Sequence, residues 1–364
     1  MRISEITREL EKIAPPSYQE TYDNSGLLIG HHNTEVSGVL ITLDVTEEVM
    51  SEALTNDCNL IIAHHPLIFK GLKRINGDHW VERCILTAIK KDIAIYAIHT
   101  NLDNVIGGVN AKIAGKLGLV NTKVLSPKPD LLSKLVTYVP ETHAEEVTQA
   151  LYNSGAGEIG NYNHSSYQSD GIGRFRPGEN TDSFIGKKGK ETRVNEKRIE
   201  VILPDFKSKK ILNALLESHP YEEVAYYLTS LKNANQEVGS GMIGELEEPM
   251  EISKFLSLLK DKMKTGVVRH TKTHKDQVKK IAVCGGSGSF LLKQAIMAEA
   301  DVFVSADFKY HEFFEADNRI TIADIGHYES EQFTKDLLYD ILSEKLTNIA
   351  LRLSEVQTNP IKYL

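Results

Sequence analysis

The feature that most limits how this chain can fold is an alternation, at both of its ends, of short β-branched runs with charged segments of helical period. Residues 1–120 carry the runs "VLITLD", "NLIIAH" and "IAIYAIH", interleaved with "VTEEVMSEALTN", "WVERCILTAIKK" and "GVNAKIAGKLG". Such an order builds a largely parallel sheet flanked by helices, because parallel neighbours need a long crossover between them. After residue 237 the pattern resumes in "KKIAVCG", "DVFVSA" and "ITIADI", with helical stretches "FLLKQAIMAEA" and "EQFTKDLLYDILSEKL". Both ends therefore predict one kind of α/β fold.

Between them the pattern changes. Prolines punctuate "LSPKPD" at 125–130, and a polar stretch, "SLKNANQEVGSG", marks the return at 230–241. The enclosed segment reads strand ("KLVTYVP"), helix ("THAEEVTQALYNSG"), a glycine-rich hairpin region, strand ("KRIEVILP"), helix ("KSKKILNALLESHP"), strand ("EEVAYYLTSL"). That order predicts a small ferredoxin-like α+β domain inserted into a larger one. Residues 1–126 and 233–364 then form the two parts of the outer domain and 127–232 the insert, an arrangement suited to a chain of 364 residues.

Composition removes several classes. With 41% hydrophobic and 25% charged residues the chain is neither disordered nor collagen-like. Its 42 basic and 50 acidic residues leave a charge of -8, unsuited to a general coat for nucleic acid, which needs a concentrated positive surface. Cys58, Cys84 and Cys284 lie in apolar runs without CxxC spacing and read as buried thiols. The amino terminus, "MRISEITREL", lacks the apolar stretch of a signal peptide, and no run approaches the ~18 apolar residues of a membrane helix. A cytoplasmic protein is expected.

The strongest chemical signal is His64-His65-Pro66, which follows the apolar "LIIA" and so sits at a strand's carboxyl end, where α/β sheets place their ligands. Adjacent residues of an extended chain point in opposite directions, and Pro66 keeps His65 out of the helical region. Two such imidazoles suit two different metal ions better than one. A second strand ends in His99-Thr100-Asn101-Leu102-Asp103, and a third runs into Gly326-His327-Tyr328-Glu329-Ser330-Glu331. If His327 opens a helix, Glu331 at i+4 shares its face. His64, His65, Asp103, His327 and Glu331 are thus candidate ligands, and a single sheet would gather the three strand ends into one crevice. Nitrogen and carboxylate donors without thiolate favour Zn, Mn, Fe or Ni, with Zn first, and a Glu with two oxygens can bridge a pair of divalent ions.

Other candidates carry a plainer reading beside the functional one. Gly285-Gly286-Ser287-Gly288-Ser289 follows a strand and opens a helix, so its amides either hold a substrate phosphate or form an ordinary tight turn; it matches neither the dinucleotide fingerprint nor the P-loop. Asp44, His99, Asp307, Lys309 and His311 follow strands and could support the ligands or pass protons. His31-His32 is read as a surface turn, and the basic run Lys187–Arg198 as a solvated hairpin.

The motifs "SGLLIG", "HHPLIF", "HTNLD", "GGSGS", "ADFKYHE" and "GHYESE", in this order over residues 25–331, resemble the GTP cyclohydrolase I type 2 homologue family, also called the NIF-three-like family. The insert, with "GAGEIGNYNHSSY", "GIGRFRPGENTDSFIG" and "HPYEEVAY", looks like the PII- or CutA-like domain of longer bacterial members. The resemblance implies an α/β fold of NIF-three-like mixed sheets carrying that insert. It also implies that His64, Asp103 and Glu331 hold one ion while His65, His327 and the bridging Glu331 hold a second. A toroidal homohexamer, a trimer of dimers with the metals facing inward, is implied too. The function expected is a metal-dependent hydrolase acting on a nucleotide or purine ring. The alternative is a metal-binding sensor or adaptor whose insert recognises a small molecule or partner.

Overall fold

The computed structural model describes residues 1–364, which form two compact units. One comprises 1–126 and 237–364, the other 127–236. Before the chain enters the second unit it lays down β1 (Gly26–Ile29), β2 (Gly38–Thr42), β3 (Leu60–Ala63), β4 (Ala94–Ala97) and β5 (Val120–Lys128). The second unit holds β6 (Leu132–Pro140), β7 (Ser166–Phe175), β8 (Thr192–Pro204) and β9 (Tyr226–Leu231). There follow β10 (Asn235–Glu251), β11 (Arg269–His270), β12 (Gln277–Ser287), β13 (Val302–Ala306), β14 (Thr321–Asp324) and β15 (Ala350–Leu353).

The first unit contains two sheets, where the sequence predicts a single crevice-forming one. One has the order β1-β4-β3-β2-β15, the other β11-β14-β13-β12-β10-β5. In each, the central strands are parallel and antiparallel strands lie toward the edge: β1 flanks β4, while β11 and β10 flank the β14-β13-β12 block. The split follows from one long-range pairing. After β4 the next strand, β5, pairs with β10 rather than continuing the first sheet, and the chain returns to that sheet only through β15 beside β2. The short apolar runs read as predicted: β2, β3, β4, β13 and β14 are buried along their whole length. Burial on both faces is what a continuous apolar run without alternation specifies. Helices Glu47–Thr55 and Trp80–Lys90 cover β2, β3 and β4 through Val49, Met50, Ala53, Cys84, Ile85 and Ala88.

The polar stretch at 230–241 is not a loop throughout, because β10 begins at Asn235 and continues for 17 residues. Its glycines mark close packing rather than a turn. A Cβ on Gly244 would lie 3.0 Å from the Val120 carbonyl oxygen, and one on Gly241, whose φ is +67°, 3.1 Å from that of Val283. Because β5 and β10 are neighbours in one sheet, the strand by which the chain leaves the first unit adjoins the strand by which it returns.

In the second unit the strand order is β7-β8-β6-β9, with every pair antiparallel. Helices Ala144–Ser154 and Ser208–Ser218 contribute Val147, Leu151, Ile211 and Leu215 to a core shared with Leu135, Val139, Ile199, Val201 and Leu203. This is the β-α-β-β-α-β arrangement anticipated from the segment's order. Cys58, Cys84 and Cys284 are buried and free, as their apolar surroundings predict. No helix is long and apolar enough to cross a membrane.

Candidate metal centre

The carboxyl ends of strands from both sheets of the first unit meet at one place. β2 leads to Asp44, β3 to His64 and His65, and β4 to His99 and the short helix Thr100–Asp103. From the other sheet, β13 leads to Asp307, and β14 leads through Gly326 into the helix His327–Glu331. His327 thus heads a five-residue helix of its own, ahead of the longer Thr334–Lys345. The i,i+4 relation holds within it, with His327 Nε2 3.1 Å from Glu331 Oε2. Gly326 sits at φ +91°, a conformation that glycine adopts without strain, and aims the helix at the cluster.

Each of the four imidazoles is held by Nδ1. His64 Nδ1 donates to the Ile98 carbonyl at 2.8 Å, His65 Nδ1 pairs with Asp44 Oδ1 at 2.7 Å, His99 Nδ1 with Asp23 Oδ1 at 2.7 Å, and His327 Nδ1 with Asp307 Oδ2 at 2.6 Å. Every acceptor is an oxygen, so Nδ1 carries the proton and Nε2 is the nitrogen left with a lone pair when the ring is neutral. Glu331 lies among these nitrogens. Its Oε2 is 2.9 Å from His65 Nε2, while its Oε1 is 3.9 Å from His64 Nε2, which in turn is 3.5 Å from Asp103 Oδ1. The carboxylate therefore presents one oxygen to His65 and His327 and the other to His64.

The donor set fits a cation. His64 Nε2 and Asp103 Oδ1 are buried atoms without a hydrogen-bond partner, an expensive state for polar groups unless something else binds them. His65, His327 and Glu331 form a group that could hold a metal ion; so do His64, Asp103 and Glu331, and so do His64, His65 and His99. Charge points the same way. Burial pushes His64 down to about 3, keeping it neutral. Burial opposes charge on His65 as well, but the hydrogen bonds its ring donates to Asp44 and Glu331 push it up to about 9. The Glu331 charge beside His327 lifts that ring to about 11. Burial and the same Glu331 charge raise Asp103 well above the carboxylate range, whereas Glu331, despite its burial, is held low by His327 and His65. Protons on His65 and His327 thus balance Glu331 where a cation would otherwise do so.

The glycine run does not follow a strand as expected, since Gly285, Gly286 and Ser287 are the last residues of β12, and this end of the strand packs against the Glu331 carboxylate. A Cβ on Gly286 would fall 2.4 Å from Glu331 Oε1, and one on Gly285 3.3 Å from its Cγ. Gly285 N–H donates to Asn110 Oδ1 and Gly286 N–H to Ser330 Oγ. Ser287 ends the strand, and a Cβ on Gly288, the next residue, would meet Ser305 Oγ at 2.3 Å. Asp44 and His99 are at the cluster, but Lys309 and His311 are exposed and their contacts lie elsewhere. Lys309 N–H donates to Glu312, and His311 packs on the rings of Tyr310 and Phe314. His31 and His32 occupy an exposed turn.

Two residues of the centre escape a reading by motif. Asp23, in the loop before β1, anchors His99 and also accepts from the Thr100 N–H and hydroxyl. Those bonds and the His99 charge hold its carboxyl far below the usual range against the effect of burial. Thr358, near the carboxyl terminus, donates its hydroxyl to Asp44 Oδ2 at 2.6 Å. Thr358 lies on the irregular stretch past β15, and the only signal for Asp23 is its place just ahead of "SGLLIG".

The profile of Duf34/NIF3 (NGG1p interacting factor 3) matches residues 1–360. The chain is 39% identical to a GTP cyclohydrolase 1 type 2 homolog of Bacillus subtilis over 99% of its own length and 98% of the relative's. Identity is 40% to the protein of that name from Halalkalibacterium halodurans, with the same coverage. Among solved structures, a Bacillus cereus protein related to NIF3 superposes with a TM-score of 0.88 at 40% identity, covering 100% of this chain and 99% of that one. Staphylococcus aureus SA1388 does so at 0.79 and 30% identity, again covering 100% and 99%. These matches, spanning both units, place the chain in the Duf34/NIF3 family.

Proposed function

We propose that the chain is a metal-dependent hydrolase that uses two divalent ions, zinc first among the candidates, held in the first unit. His64, Asp103 and Glu331 would hold one ion, and His65, His327 and Glu331 the other. The observation that carries this reading is the pair of buried, partnerless donors, His64 Nε2 and Asp103 Oδ1, beside a carboxylate whose second oxygen already serves two other imidazoles. Divalent ions bound there supply Lewis acidity, polarising a substrate oxygen and lowering the pKa of water.

The chain's own residues do the rest. Asp44 and Asp307 fix the tautomers of His65 and His327, so that both rings turn Nε2 inward. Asp23 does the same for His99, whose ring packs edge-on to those of His64 and His65 at 5.3 and 5.5 Å. We read His99 Nε2 as the group that would take a proton from attacking water and return one to the leaving group. Gly285 and Gly286 let the backbone approach Glu331, and Ser287, exposed at the end of β12, is the residue of that run we read as open to substrate contact. The substrate class we favour is a nucleotide, with water adding to a purine ring carbon or to phosphorus, in keeping with the name borne by the Bacillus subtilis relative. We further read the protein as a cytoplasmic homohexamer and the second unit as a PII/CutA-like domain, on the strength of its strand order.

Elemental analysis of metal-replete protein, followed by a nucleotide panel assayed with Mn or Zn, tests the reading. Turnover that disappears in Glu331→Gln supports the hydrolase. A chain that binds metal yet turns over nothing in the panel overturns it in favour of a metal-binding sensor.

A further inference from the structure

Two aromatic side chains next to the metal-binding cluster stand in water. Phe69 closes the motif "HHPLIF", and its ring lies 6.1 Å from that of His99, the two planes at 80°. Tyr22, in the turn before β1, lies 6.3 Å from Phe69 at 63°. His99 in turn lies 5.3 and 5.5 Å from the rings of His64 and His65, so the aromatic series starts at the candidate ligands and runs away from them. Tyr22 is 65% exposed and Phe69 42%. One exposed apolar side chain means little, whereas two in contact beside a cluster of ionisable groups form a surface suited to a ligand.

The backbone beneath both rings is fixed. The Asp23 N–H donates to the Glu20 carbonyl at 3.0 Å, closing the turn that carries Tyr22. Each end of that turn is tied to the residues after β4: the Glu20 N–H donates to Thr100 Oγ1 at 2.9 Å, and Asp23 Oδ1 holds His99 Nδ1. One residue further, Asn24 Nδ2 donates to the Ile68 carbonyl at 2.6 Å, which couples the Tyr22 turn to the segment bearing Phe69. That segment is anchored in turn by Leu67, buried in the core against which Ile68 also packs. Little ordering of the chain therefore remains when a ligand arrives.

Rings that meet at 63° and 80° leave at least one face of each uncovered by its neighbour. Such a face receives a third flat ring by stacking, a contact that every nucleobase can make and that a substrate without a ring cannot.

We propose that Phe69 and Tyr22 form the ring-binding wall of the substrate site, stacking a nucleobase while the reacting group reaches the proposed metal centre. This inference rests on the nucleotide-hydrolase reading and adds to it the residues that would separate nucleotides from phosphoesters lacking a base.

Equilibrium binding of GMP and of ribose 5-phosphate to the full chain, with and without zinc, tests it, because the two probes share sugar and phosphate and differ in the base. GMP should bind at least tenfold more tightly. Since both side chains are exposed, Phe69→Leu and Tyr22→Leu should leave the fold intact. Each should weaken GMP binding about fivefold or more, with ribose 5-phosphate affinity and zinc content unchanged. Phe69→Tyr, which keeps a ring, should retain GMP binding. GMP binding no tighter than that of ribose 5-phosphate, or unaltered in both leucine variants, overturns the proposal. So does a change of subunit mass in either variant by light scattering, which would make this surface a contact between copies. The two readings fail separately: a ring preference lost in the leucine variants, without turnover of any nucleotide, retains the wall and overturns the hydrolase, whereas turnover with GMP affinity unaltered in those variants does the reverse.

Discussion

The Nε2 atoms of His65 and His327 lie 3.4 Å apart, although 262 residues separate the two in the chain. Asp44 and Asp307 hold the far side of each ring, so two neutral imidazoles would direct lone pairs at each other. Glu331 Oε2, 2.9 Å from one nitrogen and 3.1 Å from the other, relieves that contact when both rings carry protons. A cation at the same point relieves it without them.

Glu331→Gln should lower the occupancy of both proposed ions, because a neutral amide is a poor bridge between cations. A drop of at least tenfold in affinity at each step is expected by chelator competition, whereas His65→Ala should empty mainly one position. Full occupancy of the Glu331 variant would remove the bridging assignment.

Asp44→Asn should weaken metal binding by about 10- to 100-fold, because the partner of a ligating imidazole sets its tautomer and basicity. Thr358→Val, which frees one oxygen of Asp44, should give a smaller loss in the same direction. Thermal melts of the metal-free variants serve as the control: unchanged melting with weakened binding identifies positioning, and an equal fall in both identifies a purely structural role.

Metal uptake at pH 7 should release at least two protons per chain, since His65 and His327 are held up to about 9 and 11 and must lose those protons to bind. Affinity should therefore rise with pH. The stability of the metal-free chain should run the other way: a raised pKa contributes fully below the ordinary imidazole value of 6.5, and His65's share is lost as pH rises through about 9. An indicator dye in weakly buffered solution reports the release. Uptake without it would show that the rings are already neutral.

Light scattering should give a mass near six times the chain's 40.6 kDa. A species at the mass of one chain at micromolar concentration would end the hexamer proposal.

Replacing residues 128–232 with a short Gly/Ser linker should leave the first unit folded and its metal content intact, because β5 and β10 adjoin in one sheet and every proposed ligand lies outside the excised segment. A soluble, folded deletion variant without metal would show that the second unit supplies ligands.

Much of this protein is legible in its sequence because the deciding signals are local. An apolar run such as "LIIA" can only be a buried strand or a short piece of buried helix, and Pro66 keeps His65 out of the helical region. The i,i+4 spacing of His327 and Glu331 likewise follows from helix geometry alone. The β-α-β-β-α-β order of the insert is visible because each element's period is a property of its own residues. Which strands share a sheet is not local. It depended on β5 finding β10 rather than β4, a pairing decided by long-range hydrogen bonding and by glycines that allow close approach at 241 and 244. The same holds for the groups behind the ligands. Asp23 and Thr358 lie on irregular segments with no periodicity to mark them, and only the folded chain brings one to His99 and the other to Asp44.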